Sequence, residues 1–302
     1  MAPTFSAATG WLLYAGLILV AGGVTAHWVL IPALKLPESP IRSWLEEAAW
    51  RLGLLGGSFL PIALSLVFIR QLIEFRDPFV PWTEDAQLLL TGTNWGRTWL
   101  LGVTGSFLLA AAFVFGGRGR RLAWAVSAFV LLGLSSFPAF TGHASGTEGL
   151  RPLTIFVDTL HVWAVGVWIG GLGFVLYANR GWLPGGGEKT ESILPLLVSR
   201  FSPIAVASVG VVIVTGSISA WVHLSSFGDL LFTPYGQLLS VKIVLVTAAF
   251  GLGLLNWKRH TPYLTEVSGQ RALIRTAVTE LFVVQIVLIV TSILVVTSPP
   301  AH

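Results

Sequence analysis

The chain alternates between long apolar runs and short polar connections, and the runs are continuous rather than alternating in polarity. A transmembrane helix needs about 20 mainly apolar residues, whereas a membrane strand alternates between apolar and polar positions. The pattern therefore predicts an all-α, polytopic membrane protein, with residues 1–302 forming a single integral membrane domain. The eight predicted transmembrane helices are Trp11–Leu34, Leu52–Ile69, Thr98–Gly116, Leu122–Phe140, Phe156–Tyr177, Ile204–Leu224, Leu238–Trp257 and Val278–Val296.

The basic residues predict how these helices are oriented. The connections after spans one, three, five and seven hold 13 Lys and Arg residues, and the opposite side holds four. Because Lys and Arg accumulate in cytoplasmic loops, both termini are predicted to lie outside the cytoplasm, an N-out/C-out arrangement. Two connecting segments have a predicted structure of their own, Arg42–Arg51 as a surface helix and Leu183–Arg200 as a cytoplasmic elbow.

Two short segments predict an internal repeat. "TNWGRTWL" (Thr93–Leu100) opens span three, and "TPYGQLLS" (Thr233–Ser240) opens span seven 140 residues later. Thr, an aromatic residue and Gly occupy equivalent positions in both. The match predicts two four-span halves, residues 1–150 and 151–302, arranged as a parallel 4+4 repeat about an axis along the membrane normal.

The composition agrees with a membrane protein and limits its chemistry. Hydrophobic residues make up 54% of the chain and charged residues 11%, with a mean hydropathy of +0.79. A soluble domain carries about 25% charged residues. The net charge of +4 follows from the basic connections, so the predicted surroundings are membrane lipid and not nucleic acid. Cys is absent and the one Met is residue 1, which excludes sites built from sulfur ligands.

Placing an ionisable side chain in a membrane helix costs free energy, so the ionisable residues found there are candidates for function. Asp158 and His161 share one helix face in span five, and Trp168 follows on the same stripe. His143 closes span four and His223 ends span six, so four groups from three helices are predicted to meet near the outer face. Imidazole and carboxylate groups bind divalent metals such as copper and zinc. Asp158 is either a ligand or the partner that orients His161, and a polar pair without a ligand is also consistent with the sequence.

The other ionisable groups have weaker assignments. His27 lies about 24 Å along span one, where it either lines an exit route or bonds a backbone carbonyl. Glu280 is predicted near the hydrated inner end of span eight. His223, at a helix end, can also be a solvated residue without a role. Lys242 is expected to extend outward to the membrane surface.

Several segments resemble a known family. They are "GHA" (Gly142–Ala144), "DTLHVWAVGVWIGGL" (Asp158–Leu172), "VTGSISA" (Val214–Ala220), "TPYGQLLSVK" (Thr233–Lys242), "NWKR" (Asn256–Arg259) and "RTAVTELFVVQIVL" (Arg275–Leu288). In this order they resemble the CopD copper-resistance family over about residues 142–300. The resemblance implies an eight-span protein of the cell inner membrane that moves copper inward, with His143, Asp158 and His161 handling the metal. It also implies a separate periplasmic copper-binding protein of the CopC type as donor.

Three functional hypotheses follow, and the first is preferred. In the first, the protein is a copper transporter and not an enzyme: copper binds His143, Asp158 and His161, with His223 as a further donor. It then passes inward along a seam that includes His27 and is released near Glu280. In the second, His residues on facing spans hold haem b in a membrane oxidoreductase. In the third, the same outer site serves a copper sensor or assembly factor that does not transport.

Overall fold

The computed structural model describes residues 3–117, 119–142, 149–181 and 192–300. Within these ranges eight helices are long and apolar enough to cross a membrane, and no β-strand occurs. The predicted all-α, eight-span architecture is confirmed. The helices are α1 (Thr4–Ala33), α2 (Pro40–Phe75), α3 (Asn94–Gly116), α4 (Arg121–Thr141), α5 (Arg151–Arg180), α6 (Leu194–His223), α7 (Pro234–Tyr263) and α8 (Val267–Leu294).

The segment Arg42–Arg51 is helical and leads into span two as predicted, but it is wrong to separate it as a surface helix, because it forms the first turns of α2. Leu45, Ala48 and Ala49 are fully buried there. These apolar residues follow helical spacing and face the bundle, and no helix-breaking residue separates them from the rest of α2. The predicted elbow at Leu183–Arg200 is wrong in the same way from Leu194 onward, where α6 has already begun.

Helix α1 holds the two halves of the molecule together. It packs against α2 and α4 of the first half and against α5 and α8 of the second. At the crossing of α1 with α5, a Cβ added to Gly22 would overlap the backbone of Gly170, so only glycine allows this approach. Gly10 in α1 lies directly against Ser292 in α8, which places the start of α1 and the end of α8 on one side of the bundle.

The two segments that predicted a repeat have the same local geometry. The side chain of Thr93 accepts a hydrogen bond from the Gly96 N–H at 2.9 Å, and Thr233 accepts one from Gly236 at 3.0 Å. Each Thr hydroxyl also donates to the carbonyl four residues earlier. Each helix is therefore capped by Thr, which satisfies an N–H group that would otherwise lack a partner.

Spans one and five share a second feature. A π-helical turn occupies Ala26–Leu30 in α1, and another occupies Gly166–Gly170 in α5, again 140 residues apart. π-Helical turns within α-helices are rare and occur often at functional sites. Both features agree with the predicted 4+4 repeat. The symmetry of the two whole halves and the N-out/C-out orientation remain predictions.

Candidate metal-binding cavity

The second half of the bundle surrounds a cavity of about 540 Å³. Its walls come from α5, α6, α7 and α8, and from one side of α1 and the end of α4. Helices α6 and α7 meet at their ends, where Thr261–Tyr263 contacts α6 and where the ring centroids of His223 and Tyr235 lie 6.2 Å apart, and between these ends both helices line the cavity. Asp158, His161 and His223 all line the cavity, so it gathers three of the predicted metal-binding residues.

The hydrogen bonds of His161 determine which ring nitrogen carries the lone pair. Nδ1 of His161 lies 2.9 Å from the hydroxyl oxygen of Thr215. That hydroxyl has the carbonyls of Val211 and Val212 as acceptors at 2.7 and 3.3 Å, and with its hydrogen donated there its oxygen accepts from Nδ1–H. The lone pair of the neutral imidazole is therefore on Nε2, the nitrogen that can bind a metal. Gly216, one position beyond Thr215, lies beside the ring, where a Cβ would make an ordinary contact of 3.4 Å.

His223 and Asp158 are held by the same residue of α6. Nδ1 of His223 donates to the carbonyl of Ser219 at 2.7 Å, which again places the imidazole lone pair on Nε2. The hydroxyl of Ser219 donates to Oδ1 of Asp158 at 2.6 Å. His223 is only 7% exposed, so it is part of the cavity wall and not a solvated helix end.

Trp168 closes the end of the cavity that lies away from the starts of α5 and α7. Its ring packs on Phe250 with 5.0 Å between centroids, and its Nε1–H donates to Oε1 of Glu280 at 3.1 Å. Glu280 is 2% exposed and also receives a longer hydrogen bond, 3.5 Å, from the side-chain amide of Asn256. The amide oxygen of Asn256 in turn accepts from Thr276. Polar groups thus continue below the floor of the cavity.

The predicted position of Glu280 is wrong. It lies 13 residues into α8, about 20 Å from the inner end of the helix, because α8 begins well before the apolar run. Glu280 is therefore a buried group near the middle of the bundle and not a hydrated residue at its edge.

Two other predicted residues lie apart from the cavity or outside the described ranges. His27 is not among the residues that line the cavity; its ring stacks on Trp124 of α4 with 4.2 Å between centroids. His143 lies outside the described residues. Within the described ranges, no three His, Cys, Asp or Glu side chains converge as a closed metal site. The described donors are distributed over the walls of an open cavity.

Sequence reasoning did not find three residues that shape the site. Thr215 and Ser219 hold the metal-binding candidates, and they precede His223 at intervals of four, a polar stripe on α6 that the sequence does display. Lys242 lines the cavity, whereas the sequence suggested that it extends toward the membrane surface.

Comparisons with known proteins show similarity over part of this chain. Residues 195–294 match the model of the CopD family, described as copper resistance protein D. Over 170 residues, 55% of the chain, the sequence is 29% identical to the copper transport protein CutJ of Bacillus subtilis (strain 168), covering 30% of that protein. Over 208 residues, 66% of the chain, it is 26% identical to copper resistance protein D of Pseudomonas syringae pv. tomato, covering 66% of it.

The chain thus spans about a third of the first relative and about two thirds of the second. No solved structure matches this chain. The family match begins in the first turn of α6 and ends with α8, so it includes Thr215, Ser219, His223, Lys242 and Glu280, while Asp158 and His161 precede it. This multi-pass membrane protein is thus similar, over residues 195–294, to the CopD family of copper resistance proteins.

Proposed function

We propose that the protein transports copper ions across the cytoplasmic membrane, inward from the outer side, with copper as its substrate and without enzymatic activity. The observation that carries the proposal is the cavity in which two imidazoles and a carboxylate are held by α6. Both imidazoles have their lone pair on Nε2, and Asp158 shares the same walls. The names of both relatives, a copper transport protein and a copper resistance protein, support copper as the ion.

Copper would be captured by His161, His223 and Asp158, with His143 as a further donor. Imidazole and carboxylate suit Cu(II), and imidazole also binds Cu(I). The contacts favour Asp158 as a direct donor. His161 is oriented by Thr215, and the described hydrogen bond of Asp158 comes from Ser219. A separate donor protein of the CopC type would deliver the ion to the outer end of the cavity.

Passage inward would require Trp168 to move. Its hydrogen bond to Glu280 closes the cavity, and Glu280 and Asn256 continue the polar groups on the inner side. We place the route along these two residues rather than along His27, which packs against Trp124 in the first half. Helix α5 carries Trp168 in its π-helical turn, a geometry that lets a short segment change register without unfolding the helix.

The test is copper uptake into liposomes that contain the purified protein. His161→Ala and Asp158→Asn should each lower the initial rate at low copper at least ~10-fold, because even outer partners of metal ligands affect affinity by about 10–100-fold. His260→Ala is the matched control, since His260 lies near the end of α7 and does not line the cavity. Uptake that is unchanged in both cavity variants would contradict the proposal.

The closed floor at Trp168 also favours a second function, a copper-handling protein that holds the ion at the outer face and passes it on. The same liposomes separate the two functions. A transporter accumulates copper in the lumen over many turnovers, whereas a holding protein binds about one equivalent, which a chelator removes from outside. The haem alternative receives no support, since both relatives are named for copper.

A further inference from the structure

Lys242 places a positive charge inside the cavity proposed to bind a cation. It lies eight residues into α7, about 12 Å from the start of that helix, and Asp158 lies seven residues into α5, about 10 Å from its start. Both residues line the cavity and both helices start at the same side of the bundle, so the two charges lie at similar depth. Apart from the two histidines, they are the ionisable acid and base among the described lining residues.

The ammonium group is not fixed by a contact. Among the described residues, the ion pairs within 4.0 Å do not involve Lys242, and its side chain has no described hydrogen bond. Asp158 is held instead by Ser219. A long, flexible side chain that ends in an ammonium group can therefore approach Asp158 when the cavity is empty and withdraw when another cation arrives.

We infer that Lys242 is a tethered competitor for the transported ion. This inference rests on the proposed function. With Lys242 present, the described lining has no net formal charge when both histidines are neutral; without it, the lining is negative. Charges a few ångström apart in a protein alter affinity by more than tenfold. A transport site must bind its ion tightly enough to admit it and weakly enough to release it. Lys242 lowers the affinity of the cavity, so that copper leaves it.

The test is Cu(II) binding to purified protein by calorimetry, compared with copper uptake. Lys242→Leu removes the charge and adds no metal donor. It should tighten binding at least ~10-fold and slow uptake at saturating copper, while Lys242→Arg should keep both near the wild-type values. Lys258→Leu is the control, because Lys258 is exposed near the end of α7 and does not line the cavity. Binding that is unchanged or weaker in Lys242→Leu would overturn the inference, and an unchanged affinity is what a lysine extending to the membrane surface predicts.

The two proposals fail in different ways. If Asp158→Asn and His161→Ala leave wild-type copper binding unaltered, the proposed site fails. If they weaken binding while Lys242→Leu has no effect, only the inference on Lys242 fails.

Lys242→Leu leaves Asp158 without a compensating charge and can therefore misfold. In that case the double variant Asp158→Asn/Lys242→Leu is compared with Asp158→Asn alone. Tighter binding in the double variant supports the competitor role, and equal binding overturns it.

Discussion

The space between α2 and α3 is filled by aromatic rings, whereas the space between α6 and α7 holds the cavity. In the first half, the rings of Trp50, Phe113 and Trp124 meet in the interior. The ring centroid of Phe113 lies 4.9 Å from that of Trp50 and 5.4 Å from that of Trp124. Helices α2 and α3 pack closely around them. In the second half, α6 and α7 enclose the cavity where this packing would be.

The difference shows how one fold supports both a scaffold and a site. The residues 140 positions before Asp158 and His161 are Ile18 and Ala21, so the first half has apolar groups where the second half has donors. Ionisable groups in a membrane helix are tolerated where they line a cavity or find partners. The aromatic cluster fills the space between α2 and α3, and the open space between α6 and α7 gives the donors a common cavity.

The largest expected effect tests this contrast through two phenylalanines. Phe113→Ala should destabilise the protein by about 3 kcal/mol, because it leaves a void in a closed interior. Phe250→Ala should have less than half this effect, since its ring already borders the cavity and its loss enlarges an existing space. The measurement is unfolding in detergent, with both free energies determined under the same conditions.

If the two substitutions lower the free energy of unfolding equally, the second half is as tightly packed as the first. Copper binding gives an independent check. Phe113→Ala should leave it near the wild-type value, because Phe113 and its ring partners lie outside the cavity lining.

A smaller effect is expected from the residue that orients His161. Thr215→Val keeps the shape of the side chain and removes the oxygen that accepts from Nδ1–H. The imidazole can then rotate or change tautomer, and copper affinity should fall about 10–100-fold. The measurement is Cu(II) binding, with Thr247→Val as the matched control, since Thr247 lines the same cavity and does not contact His161 in the described hydrogen bonds.

The double variant Thr215→Val/His161→Ala sharpens this result. If Thr215 acts through His161, its substitution has no further effect once the imidazole is absent. If the two substitutions lower copper affinity additively, the hydroxyl of Thr215 contributes to copper binding independently of His161.

The sequence predicted the eight helices because each apolar run is long enough to cross a membrane. It failed at Arg42–Arg51 and at the start of α6, where amphipathic turns continue a span beyond the membrane. The hydropathy pattern assigns these turns to the connections. In the structure, the burial of Leu45 and Leu194 makes them part of the same helix as the span. Boundaries of this kind depend on contacts between distant helices.

The site was predictable only in part. The i, i+3 spacing of Asp158 and His161 placed both on one helix face, and the structure puts both in the cavity. Lys242 and Glu280 were misplaced because their surroundings depend on how α7 and α8 are rotated and on where they begin. Neither quantity can be read from apolar runs. The stripe of Thr215, Ser219 and His223 was available from spacing alone.

The smallest expected effect tests whether the halves are equivalent where their sequences agree. Thr93→Val and Thr233→Val each remove a helix cap, and each should destabilise the protein by about 1 kcal/mol. The two caps have the same hydrogen bonds, to the third residue of the helix and to the carbonyl four residues back, so the two losses should be equal. Thr98→Val is the control, because Thr98 bonds a carbonyl within α3 without capping it and should have little effect. A loss confined to Thr93→Val would mean that α7, beside the cavity, does not depend on its cap, and that the halves differ in the stability of their helices as well as in what fills them.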